Sequence, residues 1–200
     1  MVDILDKLLA DLISGDEALA EAAMNKLVAL GEETFPALKA MLDASDADHR
    51  WWALSVLAQI EDTDAEWLLP ALDDDSVEVR QCAALGLSVH PDPKAASALI
   101  DAMRDPDSMV STLAANALAK IGEAAVPALL AVLEEDESGQ NALQVKAARL
   151  GAMRALATIA DPRAIPAMMA ALEEDSVFMR HWAETGLKNL GQDMVYLKLD

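Results

Sequence analysis

The feature that most constrains this chain is that it repeats itself. Phe35-Pro36-Ala37-Leu38, Val126-Pro127-Ala128-Leu129 and Ile165-Pro166-Ala167-Met168 align, and each opens a stretch that ends in Leu42, Leu133 or Leu172. Weaker copies run from Ala65 to Leu72 and from Ala96 to Met103. An acidic turn follows each stretch, and then a second apolar-periodic segment. The second segments align as well: Arg50-Trp51-Trp52-Ala53-Leu54, Arg80-Gln81-Cys82-Ala83-Ala84, Arg180-His181-Trp182-Ala183, with Arg149 opening another. The copies recur about every 30–31 residues, the period of stacked helical hairpins.

A single hairpin cannot bury its apolar stripe, so the copies must stack into one quasi-linear array. The expected first helices cover 2–13, 33–43, 63–72, 93–104, 123–134 and 162–173; the second cover 16–30, 46–60, 75–89, 107–121, 139–159 and 175–190. This gives one domain over 1–191, with pairs at 1–31, 32–61, 62–91, 92–122, 123–160 and 161–191. Residues 192–200, with Val195, Tyr196 and Leu197, fall outside the repeat and read as a cap or a tail. Composition agrees with helix: 54% of residues are hydrophobic, mostly Ala and Leu, and only 4% are aromatic.

With the repeats aligned, the pattern resembles the HEAT family. Its marks are aliphatic-Pro-Ala-Leu, an acidic turn, Asp75-Ser76-Val77-Glu78-Val79-Arg80, and Asp175-Ser176-Val177-Phe178-Met179-Arg180. More narrowly, Ala160-Asp161-Pro162-Arg163-Ala164-Ile165-Pro166 is similar to the bacterial HEAT-like repeats first named from phycobilin lyases. The resemblance implies an all-α fold, a right-handed α-solenoid of about six HEAT-like hairpins, with the second helices on the concave face. It also implies that Arg50, Arg80, Arg149 and Arg180 form a structural ladder with acidic groups of neighbouring repeats. Departures stand out. The fourth repeat has Ser111 in place of the arginine, and the first has Ala20. Pro70 falls inside the third first-helix and is expected to kink it. About eight extra residues, Asp136–Leu143, either lengthen the fifth turn or extend the following helix backwards.

Charge and motifs exclude much. With 35 Asp+Glu against 15 Lys+Arg the formal charge is −20, which repels phosphate backbones and anionic membranes. No apolar run approaches the roughly 20 residues of a membrane span. The N-terminus lacks the basic start of a secretory signal, and Cys82 alone cannot close an internal disulfide, so a cytoplasmic protein is expected. His49, His90 and His181 sit in different repeats, and none precedes a glutamate as in the metal-dependent hydroxylases of this fold. Neither a catalytic metal, a nucleophilic triad nor a phosphate loop is legible; no enzyme activity and no cofactor are expected. The acidic turns read first as helix caps, with a docking ridge for a basic partner as the alternative.

Within each second helix the Val79, Ala83, Ala84 and Leu87 type positions face the core by periodicity. The opposite stripe carries Trp51, Leu85, Met109, Leu150 and Phe178, large apolar groups where a bare surface is normally polar. Gln81, Asn116, Arg154 and His181 share it. Such a stripe suits recognition of a peptide or helix. The expected function is therefore a scaffold that binds a protein or peptide as a monomer, the acidic field favouring a basic partner, with no nucleic acid and no membrane. Against this, one of the adjacent Trp51 and Trp52 packs between repeats, Trp182 aligns with Trp52 and shares its place, a phase shifted by one position returns Trp51 to the core, and Phe178, His181 and Trp182 could hold the C-terminal segment. Trp67 could form a convex patch or fill the gap beside Pro70. Two alternatives remain: self-association through Trp51 or Trp67, and, from the phycobilin-lyase resemblance, a subunit holding a linear tetrapyrrole for delivery to a client.

Overall fold

The computed structural model describes residues 2–138 and 141–192. Among them are eleven α-helices and no strand. The chain divides into two compact units, Met1–His90 and Pro91–Asp200. The first unit holds α1 (Val2–Leu12), α2 (Glu17–Leu30), α3 (Phe35–Leu42), α4 (Ala47–Leu57) and α5 (Val77–Val89). The second holds α6 (Ala96–Ala102), α7 (Ser108–Ile121), α8 (Val126–Leu133), α9 (Ala142–Ile159), α10 (Ile165–Ala171) and α11 (Val177–Asn189).

Short polar residues start these helices because they satisfy amides that the helix leaves unbonded. Asp16 accepts from the Ala18 and Leu19 amides at 3.0 and 3.1 Å, and Asp107 from Met109 and Val110 at 3.0 Å each. Ser76 and Ser176 cap α5 and α11. Pro36, Pro127 and Pro166 each occupy the second helical position, where the missing N–H costs nothing. Gly31 and Gly122 end α2 and α7 at φ 60° and 76°, a backbone that favours glycine.

In each unit the second helices lie beside one another: α2, α4 and α5 in the first, α7, α9 and α11 in the second. Each also packs against its own first arm. Alanines allow the close approach. Ala53, Ala83, Ala114, Ala152 and Ala183 are fully buried, interleaved with Leu54, Leu87, Leu118 and Leu156. Truncating one such leucine to alanine typically costs about 2–5 kcal/mol.

Three details depart from sequence expectation. Pro70 does not kink an α-helix, because that arm is not α-helical. It consists of two 3-10 turns, Ala65–Trp67 and Leu69–Asp73, with Pro70 in the first turn of the second. The cause is length. Three fewer residues separate Asp64 from Ser76 than separate Asp161 from Ser176. A 3-10 rise of about 2.0 Å per residue, against about 1.5 Å in an α-helix, lets the shorter arm cover a similar distance. Second, the insertion in the fifth pair acts both ways. Arg149 lies a full turn deeper in α9 than Arg80 does in α5, and the rest lengthens the turn. Its Gly139 and Gln140, like residues 193–200 of the expected cap or tail, lie outside the described residues. Third, Ser108–Leu133 does have the length and the mean hydropathy, 1.4, of a membrane span. The count of uninterrupted apolar residues missed it because Ser111, Thr112, Asn116, Lys120 and Glu123 divide the run. Gly122 breaks the same stretch, separating α7 from α8.

Candidate partner-binding surface

Arginines organise the turns from which the candidate surface rises. The Arg50 guanidinium grips the Asp74 carboxylate with two hydrogen bonds, Nε to Oδ2 at 2.6 Å and Nη2 to Oδ1 at 2.7 Å. Its third arm donates to the Ala44 carbonyl at 2.8 Å. Arg80 donates to the Asp74 carbonyl, also at 2.8 Å. Asp74 thus takes the preceding repeat's arginine on its carboxylate and its own repeat's arginine on its backbone. Glu174 repeats the arrangement: Arg149 Nη2 reaches its carboxylate at 2.8 Å and Arg180 Nη1 its carbonyl at 2.6 Å. Arg149 also pairs with Glu137 and donates to the Leu133 carbonyl at 3.0 Å. The Arg50 hydrogen bonds hold the Asp74 carboxyl below the usual carboxylate range, and the same contact raises Arg50.

The fourth repeat fills its missing arginine in another way. Ser111 Oγ donates to the Met103 carbonyl at 3.0 Å, while Arg104, from the end of the first arm, reaches forward to the Glu135 carboxylate. Sequence reasoning missed Arg104 because it sits at a different repeat position. The only available signal was the gap at Ser111.

The outward stripe is best developed in the second unit. Met109 and Phe178 are 52% and 68% exposed, Leu143 is 80% exposed, and Asn116 and His181 are exposed. Leu150 and Arg154 are half-buried and line a groove of about 460 Å³ formed by α7, α9 and α11. Asp105, Ser111, Thr112, Leu143 and Trp182 are among its other lining residues. Of the expected contacts, the groove brings together Leu150 and Arg154; Met109, Asn116, Phe178 and His181 stand outside its lining. Trp182 and Leu143 were not among the expected contacts. Trp182 is half-buried and meets His181 edge-on, with ring centroids 5.3 Å apart.

In the first unit Leu85 is 51% exposed, while Trp51 and Gln81 are half-buried. Trp51 packs edge-on against Trp52 at 4.8 Å. Trp67 packs edge-on against Phe35 at 4.8 Å, and the Lys39 ammonium lies 4.2 Å from the centre of its ring. Its ring is therefore engaged where the short third arm meets α3.

Other groups have ordinary structural partners. His90 Nε2 lies 3.1 Å from the Ala58 carbonyl. Burial pushes the Cys82 thiol up, away from the reactive thiolate, despite Ser55 at 3.4 Å. No group of three His, Cys, Asp or Glu among the described residues is placed to hold a metal.

The family model for HEAT repeats matches residues 65–145, and that for the PBS lyase HEAT-like repeat matches 148–174. Across these residues the chain is built of HEAT repeats. Over 169 residues it is 26% identical to the uncharacterized phycocyanin operon protein Z of Pseudanabaena tenuis (strain PCC 7409), covering 79% of this chain and 80% of that one. The complex of CpcE and CpcF of phycocyanin lyase from Nostoc sp. PCC7120 contains a chain 25% identical at a TM-score of 0.57. That match covers 80% of this HEAT-repeat chain, which spans 65% of the Nostoc chain. A designed armadillo repeat protein in complex with the peptide (KR)4 shares the fold, at 20% identity and a TM-score of 0.50, over 92% of this chain and 98% of the designed one.

Proposed function

We propose that this HEAT-repeat chain is a non-enzymatic interaction module that binds a partner protein along the outward stripe of its second helices. The carrying observation is the apolar exposure on the second helices α7, α9 and α11: Met109, Leu143 and Phe178 are 52%, 80% and 68% exposed, and Leu143 lines a groove with half-buried Leu150. Large apolar groups in a row on a monomer's surface mark interaction sites more often than solvated faces. Leu85 and Trp51 offer further contacts in the first unit, and Gln81, Asn116, Arg154 and His181 add polar specificity. The net charge of −20 would speed encounter with a partner that is basic overall. The test is a pulldown from host lysate with wild type and a Leu150→Ala/Phe178→Ala variant of matched helicity. A stoichiometric protein captured by wild type alone supports the reading. A partner retained by both moves the site off this stripe.

A second reading draws on the names of the similar proteins, a phycocyanin operon product and a phycocyanin lyase complex. Here the chain would be part of a lyase-like assembly that holds a linear tetrapyrrole for a client. A shifted absorption band on mixing purified protein with bilin supports it; an unchanged spectrum removes it.

A further inference from the structure

The groove over α7, α9 and α11 contains one feature that the ladder does not account for. Arg154 is half-buried on α9 and pairs with no carboxylate among the described residues, in a chain carrying 35 acidic side chains. Its one hydrogen bond runs from Nη2 to the Thr112 carbonyl at 2.9 Å. A guanidinium has five N–H donors, so most of this fork faces the groove or water. Arg50, Arg104, Arg149 and Arg163, by contrast, each hold a carboxylate. A partly desolvated, unpaired cation is costly in the free protein, and an anion delivered to it recovers that cost through charge-assisted hydrogen bonds.

We propose that this groove takes a peptide segment in which a Glu or Asp side chain lies beside a bulky apolar residue. The carboxylate meets Arg154, and the apolar side chain packs among Leu150, Leu143 and Trp182. Ser108, Thr112 and Gln144 at the wall suit the segment's main-chain amides. The single guanidinium sets the recognised charge at one carboxylate. Burial lowers Arg154 from its ordinary value, but an arginine so placed stays charged at neutral pH. The inference rests on the peptide-binding reading and sharpens it: the partner is basic overall and presents one acidic, apolar anchor.

The test is selection from a displayed random peptide library on immobilised full-length wild type and, in parallel, on Arg154→Gln and Arg154→Lys, each matched for helicity. The expected wild-type clones carry Glu or Asp within a few residues of Leu, Phe or Trp. A synthetic peptide from such a clone should bind Arg154→Gln at least tenfold more weakly, with Arg154→Lys in between because an ammonium cannot supply the fork. Clones that are apolar or basic and bind Arg154→Gln equally well overturn the carboxylate while leaving peptide binding intact. No enrichment on any of the three removes the peptide-binding reading as well. A wild-type dimer in light scattering that Arg154→Gln abolishes would assign the groove to a second copy and overturn the proposal.

Discussion

Single residues hold the turns of this HEAT-repeat chain in register. The Arg50 fork touches the Asp74 carboxylate twice and the Ala44 carbonyl once. Replacing it with lysine keeps the charge and loses the two-point contact. Arg50→Lys should therefore lower the melting temperature nearly as much as Arg50→Ala, measured by circular dichroism; full rescue by lysine would show that charge alone matters. Asp161 makes a second prediction. Side-chain and backbone hydrogen bonds from Arg163 bring its carboxyl down to about 2, below the unfolded value of about 3.9. The unfolded chain then takes up the proton first, so the stabilisation is present above pH 4 and is lost as pH falls toward 2. In urea titrations the stability gap between wild type and Asp161→Asn should shrink over that window. A gap constant from pH 6 to 2.5 would sink the assignment. Arg50, Arg80 and Arg180 stand out in the sequence because each is the fourth residue of its second helix, whereas Arg149 lies a turn deeper in α9. Arg104 was not, since its role follows from where its side chain reaches and no repeat position marks it.

At the scale of elements, helix spacing is set by small residues. A Cβ on Gly186 of α11 would lie 2.5 Å from Met168 Cε and 3.0 Å from the Ala157 backbone on α9. Met168 can swing away, but the backbone cannot. Overpacking of about 1–3 kcal/mol should outweigh the helix gain of about 1 kcal/mol for alanine. Gly186→Ala is expected to lower the urea midpoint; a raised midpoint would mean that α11 floats freely over α9. Pro70→Ala separates two accounts of the third arm. If proline broke an α-helix there, its removal would deepen the 222 nm signal. Because the arm is short by three residues, the signal should stay unchanged and stability should move by less than about 1 kcal/mol. The hairpins could be read from period, caps and proline positions, which are local properties. The 3-10 winding was recoverable in principle from the spacing of Asp64 and Ser76, but the proline drew attention away from it. The extra turn of α9 could not be placed, and with it Leu143, because an insertion leaves the helical phase of its own residues undefined. Trp182 was expected to pack like Trp52 because the two align; in the structure it also lines the groove.

For the whole molecule, charge is the governing quantity. The excess of 35 acidic over 15 basic residues leaves many carboxylates without cationic partners even when every arginine is used. Their mutual repulsion acts over the Debye length, about 10 Å at 0.1 M salt. Added sodium chloride from 10 to 300 mM should therefore raise the melting temperature, although it weakens the individual ladder pairs. A falling melting temperature would show that the ladder outweighs the repulsion. The short third arm bears on the same scale. The arm between Asp64 and Ser76 is three residues shorter than its counterpart between Asp161 and Ser176, and it winds as 3-10 turns. Its partner α5 still begins at a serine cap and still brings Arg80 to the Asp74 carbonyl. In this repeat the first arm has slack and α5 keeps its cap and its arginine, whereas in the fifth pair the added residues enter both the turn and α9 itself. A change of length in a first arm can therefore be absorbed by tighter winding, while the neighbouring second helix keeps its cap and its arginine contact.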